Sequence, residues 1–130
     1  QKDLTAVIAG LNPKSCNDKL ATISNYKFAL CFENIKFPGY VTEKIIDCLV
    51  ARVVPIYWGA PDIVEFIPER CFVDGRKFKS MEELEAHLST VSKDAWAEIV
   101  DHGSEFLKSI DGQHFSHTAF SAKIEKMLIN

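Results

Sequence analysis

Residues 28–44, FALCFENIKFPGYVTEK, run from a continuous apolar stretch through a polar loop containing proline and glycine into residues that open a helix. The apolar part, Tyr26 to Phe32, lacks the strict alternation of a half-exposed strand, so it reads as a strand covered on both faces, as in a parallel sheet. Where such a strand hands over to a helix, backbone N–H groups and the positive end of the helix dipole face outward, and anions collect there. The loop carries suitable partners. Asn34 donates and accepts, Gly39 lets the backbone come close, Tyr40 offers a ring and a hydroxyl, and Glu43 and Lys44 open the helix. A carboxylate for sugar hydroxyls beside an ammonium for phosphate suits a sugar nucleotide.

Working outward, Leu4 to Ala9 is a short apolar run ended by Gly10, Asn12 and Pro13, and it predicts another strand. After Tyr40 the period changes. Val41, Ile45, Cys48 and Leu49 fall on one helical face, which Arg52 closes. Residues 53–58, VVPIYW, predict a third strand, with Pro55 expected at an edge, a bulge or a strand start because it cannot donate to a ladder. Gly59, Ala60 and Pro61 turn the chain into a short helix near Asp62 to Phe66, where Asp62 and Glu65 have capping roles. Cys71 to Asp74 predicts a fourth strand.

Three helices are expected after that. Ser80 and Glu83 form an S-x-x-E capping box ahead of Met81, Leu84 and Leu88. Trp96, Ile99, Val100, Phe106, Leu107 and Ile110 carry the next helix, with Gly103 weakening its middle. Ser116 caps a last one with Phe120, Ile124, Met127 and Leu128 inside. Strand and helix alternate in the manner of a doubly wound α/β sheet of about four parallel strands, with a helical C-terminus. Ligands of such sheets gather outside the carboxyl ends of the strands.

The 130 residues are one domain's worth of chain, enough to bury about two-thirds of the unfolded surface. With 47% hydrophobic and 25% charged residues the composition is that of a folded globular domain. A net charge of −3 with dispersed Lys and Arg argues against a nucleic-acid-binding face. The longest apolar run, Leu49 to Trp58, is broken by Arg52 and Pro55 and is too short to span a bilayer. The first residue is Gln1, so a piece of a longer protein is expected. Cys16, Cys31, Cys48 and Cys71 are widely spaced and apart from the four histidines, which reads as reduced core thiols and not as a zinc site.

FEN, YVTEK and VVPIYWGAPDIVEFIP, in this order between Tyr26 and Phe78, resemble the donor-binding domain of the α1,3-fucosyltransferase family. The resemblance implies a Rossmann-like fold forming one half of a GT-B-like enzyme that moves L-fucose from GDP-fucose to a saccharide hydroxyl. It also implies that residues 1–130 are a single donor-nucleotide-binding domain lacking the N-terminal acceptor domain. Lys44 matches the family's diphosphate lysine, and Glu43 a residue near the donor ribose or fucose. Both are expected in catalysis. Asn34 and Tyr40 match further donor contacts.

The same resemblance marks two departures. The family brings an arginine to the diphosphate from the helix after the first strand, yet no Arg precedes Arg52, leaving Lys14 or Lys19 to substitute without the bidentate fork. Many animal members read FENS where this chain has Ile35. Glu33 stands at the strand end as a candidate base, but in the family the base is assigned to a carboxylate of the other domain. No DxD triad occurs, so no metal and no resident cofactor are expected, with GDP-fucose as substrate.

The implied parent is membrane-associated and active in protein glycosylation. A cytoplasmic or peripheral-membrane bacterial location is expected, with the Golgi lumen as the alternative. Two other readings stay open at this point: a glycosyltransferase using another nucleotide sugar, and a non-catalytic Rossmann-like interaction module.

Overall fold

The computed structural model describes residues 7, 8 and 19–109, with side chains from Leu20 to Ser109. Lys14, Cys16, Ile110 and the expected last helix beginning at Ser116 lie outside the described residues, as does most of the first expected strand. Four parallel strands lie in the order β1 (Val7–Ile8), β2 (Phe28–Phe32), β3 (Val54–Trp58), β4 (Val73–Asp74). Among the described residues the outer two contribute two residues each, and the longest pairing is that of the two central strands. There β2 and β3 pair residue for residue from Phe28 with Val54 to Phe32 with Trp58.

Pro55 sits inside β3, fully buried and level with Ala29, rather than at an outer strand. The ladder explains this placement. Val54 N donates to Lys27 O on the β2 side, so the next residue faces the β4 side. Pairing with β4 begins only at Ile56, and Pro55 occupies the one level where no donor is required.

Helices cover both faces, because the central strands are apolar on both. Ala29, Cys31 and Tyr57 face α1 (Lys19–Ile23) and α2 (Glu43–Val50), where Ile23, Ile45, Cys48 and Leu49 complete one core. Phe28, Leu30, Val54 and Ile56 face α3 (Met81–Thr90) and α4 (Lys93–Lys108) through Leu84, Leu88 and Val100. Helix α4 reaches both cores, since its Phe106 joins the α2 side. Trp96 Nε1 ties α4 to the foot of β2 through Lys27 O at 2.9 Å.

Helix ends follow from local chemistry. Ser80 Oγ accepts from Glu83 N at 3.1 Å, and the Glu83 carboxylate returns to Lys79 N, one residue ahead of the cap. Met81, expected on the apolar side of α3, is instead exposed. Helix α2 ends with Arg52 at φ 58°, Arg52 N bonded to Leu49 O and Val53 N to Cys48 O, the paired bonds of a Schellman closure. Arg52 then reaches Asp101 and Ser104 of α4. Gly103 has a use beyond loosening its helix: a Cβ there would lie 2.9 Å from Leu49 Cδ2, so glycine lets α4 approach α2. Cys31, Cys48 and Cys71 are buried and form no disulfide among the described residues, and the sulfurs of Cys31 and Cys48 lie 3.1 Å apart.

Candidate functional site

Strand β2 extends by one more ladder bond, Glu33 N to Trp58 O at 2.8 Å, and there the chain leaves the sheet. The Glu33 side chain turns inward, leaving the residue only 7% exposed. Its Oε2 accepts from Thr42 N at 2.6 Å and from the Tyr57 hydroxyl at 3.3 Å. Its Oε1 accepts from Thr42 Oγ1 at 2.6 Å and stands 4.0 Å from Lys44 Nζ. Thr42 is the N-cap of α2 and also accepts from Lys44 N at 3.4 Å. A buried carboxylate thus gathers the helix cap, a phenol and an ammonium. Burying a charge is tolerable only with partners of this kind.

Gly59 makes room for the arrangement. A Cβ on Gly59 would lie 2.4 Å from Glu33 Cγ and 2.7 Å from the Tyr57 hydroxyl oxygen, too close for either to stay. The Tyr57 hydroxyl in turn accepts from Ala60 N at 3.1 Å, which links the turn after β3 to the same network.

From Asn34 to Pro38 every residue is exposed. The loop closes through Tyr40 N to Phe37 O at 3.0 Å and through Gly39, whose φ of 79° is a conformation glycine adopts without strain. Gly39 N donates to Asp62 Oδ1 at 2.8 Å. This corrects the capping role expected of Asp62. It precedes a single 3₁₀ turn, Ile63–Glu65, and its backbone carbonyl accepts from Glu65 N, while its side chain makes no cap bond and fastens the loop instead. Lys36 lies over the half-buried Trp58 ring, 4.4 Å from its centroid, a cation–π contact joining the loop to the end of β3.

Asn34, Tyr40, Glu43 and Lys44 therefore share one loop and one helical turn, in different settings. Asn34 and Glu43 are exposed, and Tyr40 is half-buried. Lys44 is only 9% exposed and donates from Nζ to Phe32 O at 3.3 Å, at the carboxyl end of β2. Lys19 heads α1, whose helix packs against α2, and its side chain is outside the description. The Thr42 and Lys44 amides are already engaged within the chain, which narrows the outward-facing anion site expected at this helix start.

Three contributors escape a residue-by-residue reading: Thr42, Tyr57 and Gly59. Only Thr42 carried a local signal, as a threonine immediately before the helix. Among the described residues no group of three or more His, Cys, Asp or Glu forms a metal site. No helix of the described residues is long and apolar enough to cross a membrane.

Burial raises the Tyr57 phenol far above its ordinary value of 10.0; the Ala60 amide opposes the rise and the Glu33 charge adds to it. The folded chain therefore keeps the phenol proton at pH values where the unfolded chain loses it. The contribution of Tyr57 to stability is full below pH 10 and is lost above it, by up to about 1.4 kcal/mol per pH unit. Urea unfolding at pH 9 and pH 11 is expected to show this loss, and Tyr57→Phe to show a flatter profile over the same interval. Parallel profiles would remove Tyr57 as its source.

Comparison with known proteins places this geometry. Residues 5–98 match the C-terminal region of glycosyltransferase family 10, the fucosyltransferases. An α-(1,3)-fucosyltransferase of Helicobacter pylori is 35% identical over 116 residues, 88% of this chain and 23% of that protein. An α-(1,4)-fucosyltransferase of Arabidopsis thaliana is 43% identical over 72 residues, 55% of this chain and 18% of that one. The chain thus spans about a quarter or less of these relatives. A crystal structure of an α1,3-fucosyltransferase with GDP-fucose superposes with a TM-score of 0.64 and 32% identity, covering 91% of this chain and 36% of that one. A crystal structure with GDP gives 0.64 and 33%, covering 88% of this chain and 35% of that one. On these matches the chain belongs to glycosyltransferase family 10, the fucosyltransferases, and corresponds to part of their C-terminal domain.

Proposed function

We propose that the chain is the donor-binding domain of an inverting α1,3-fucosyltransferase-type enzyme and takes GDP-fucose at the loop between β2 and α2. The observation that carries this reading is Lys44, whose ammonium lies at the carboxyl end of β2 in the family's YVTEK segment. The reaction is a direct displacement: an acceptor hydroxyl, deprotonated by a base outside these residues, attacks the fucose anomeric carbon, and the bond to the phosphate oxygen of GDP breaks. Lys44 meets the charge that develops on that oxygen. A unit charge about 4 Å away at an effective dielectric near 20 is worth roughly 4 kcal/mol before desolvation, or about three orders of magnitude in rate.

Glu43 accepts from ribose or fucose hydroxyls and favours an oxocarbenium-like transition state, a role its exposure on the first turn of α2 supports. Asn34 and Tyr40 position the donor from the loop. The saccharide acceptor is bound by a further domain. This accords with the chain spanning 36% of the solved enzyme it resembles.

Titration calorimetry with GDP and GDP-fucose is the test. The 130-residue chain is expected to bind both, more tightly than other nucleoside diphosphates, and to transfer no fucose. Equal affinity for UDP would point to another nucleotide sugar, and robust transfer by the chain alone would remove the need for a second domain.

A further inference from the structure

The chain places a buried carboxylate beside the one buried ammonium at its described surface loop, and that carboxylate has no place in the displacement itself. Glu33 Oε1 lies 4.0 Å from Lys44 Nζ, and the side chains are 1% and 11% exposed respectively. Phe32 O also receives Lys44 Nζ, at 3.3 Å. The lysine is drawn to the inner side of the loop by one charge and one carbonyl. A dianionic diphosphate arriving at the loop needs the same ammonium, and in a weakly screened site two anions compete for it.

We infer that Glu33 is a positioning residue, an internal counter-anion that holds Lys44 at the end of β2 and that a diphosphate must displace as the lysine's partner. The inference rests on the reading of Lys44 as the diphosphate's cation. Glu33 does not travel. Thr42 N, Thr42 Oγ1 and the Tyr57 hydroxyl hold its carboxylate from three sides, so Lys44 is the member of the pair that turns toward the ligand. The arrangement spares the empty chain an uncompensated buried lysine, at a cost in nucleotide affinity.

The test is a double-variant cycle on the 130-residue chain, with GDP affinity read by calorimetry. Glu33→Gln removes the charge while its amide retains an acceptor for Thr42 N and a donor toward Thr42 Oγ1. It is expected to tighten GDP binding three- to tenfold. In a Lys44→Ala background the same change is expected to shift affinity less than twofold, because the partner under competition is gone. Equal gains in both backgrounds would reduce Glu33 to a general negative charge, and unchanged or weaker binding by Glu33→Gln would overturn the inference outright.

Loss of affinity in Lys44→Ala without a gain in Glu33→Gln refutes this inference and leaves the donor-site reading standing. Absence of GDP binding by the wild type refutes both. If Glu33→Gln does not fold, 15N-lysine NMR of the wild type decides. The Lys44 ammonium signal is expected to move when GDP or inorganic pyrophosphate is added while the Thr42 amide signal stays, and an unmoved ammonium overturns the inference.

Discussion

Lys44→Ala is expected to weaken GDP binding by about ten- to a hundredfold, the range that follows from losing a charge-assisted hydrogen bond of about 1.5–3 kcal/mol. The ammonium proposed to meet the diphosphate disappears, while the Glu33 carboxylate stays turned inward on Thr42 and Tyr57. Lys44→Arg separates loss of charge from loss of shape, since it keeps the charge on a larger fork in a space closed by Phe32 O and Glu33. It should recover part of the affinity. Calorimetry beside circular dichroism distinguishes loss of binding from loss of fold, and undiminished affinity in a folded Lys44→Ala chain would move the site away from α2.

The second large effect concerns stability. Glu33→Ala removes the acceptor of Thr42 N, of Thr42 Oγ1 and of the Tyr57 hydroxyl, and leaves Lys44 buried against a single carbonyl. Breaking a buried pair on one side costs about 3–5 kcal/mol, far more than most surface changes. For a domain of this size that is a large part of the total. Urea unfolding at pH 7 is expected to show a much lower midpoint with an unchanged slope. A loss below about 1 kcal/mol would mean that water replaces the carboxylate without penalty.

Much of the fold was legible because its signals are local. The apolar runs at Tyr26 to Phe32 and residues 53–58 became the paired strands β2 and β3, and the period of Ile45, Cys48 and Leu49 became the buried face of α2. Pro55 was legible as a problem only. Its solution depends on where β4 begins, and no residue near Pro55 encodes that. Met81 obeyed the helical period yet faces solvent, because it stands in the first turn, ahead of the buried Leu84 and Leu88.

The site divides along the same line. Asn34, Tyr40, Glu43 and Lys44 lie within one short stretch and were recognisable as a group from their order. The contacts that hold the stretch come from elsewhere in the chain. Tyr57 is 24 residues from Glu33, and Asp62 is 23 from Gly39, so both are brought together only by the sheet and the turn after it. Glu33 itself was visible as a carboxylate at a strand end. That it would face inward follows from Gly59, whose missing side chain is the space it fills.

The loop from Asn34 to Pro38 consists entirely of exposed residues, yet it is clasped on one side by Glu33 in its network and on the other by Gly39 on Asp62. Ile35 and Phe37 contribute little to either core, being 52% and 63% exposed. Such a hoop is an exchangeable cassette. Apart from Lys36 on the Trp58 ring, its middle can be rewritten, by evolution or by grafting from a relative, with small consequences for folding because the two hydrogen-bonded clasps lie outside it. Selectivity for what docks above the sheet can thus diverge while the domain beneath keeps its shape.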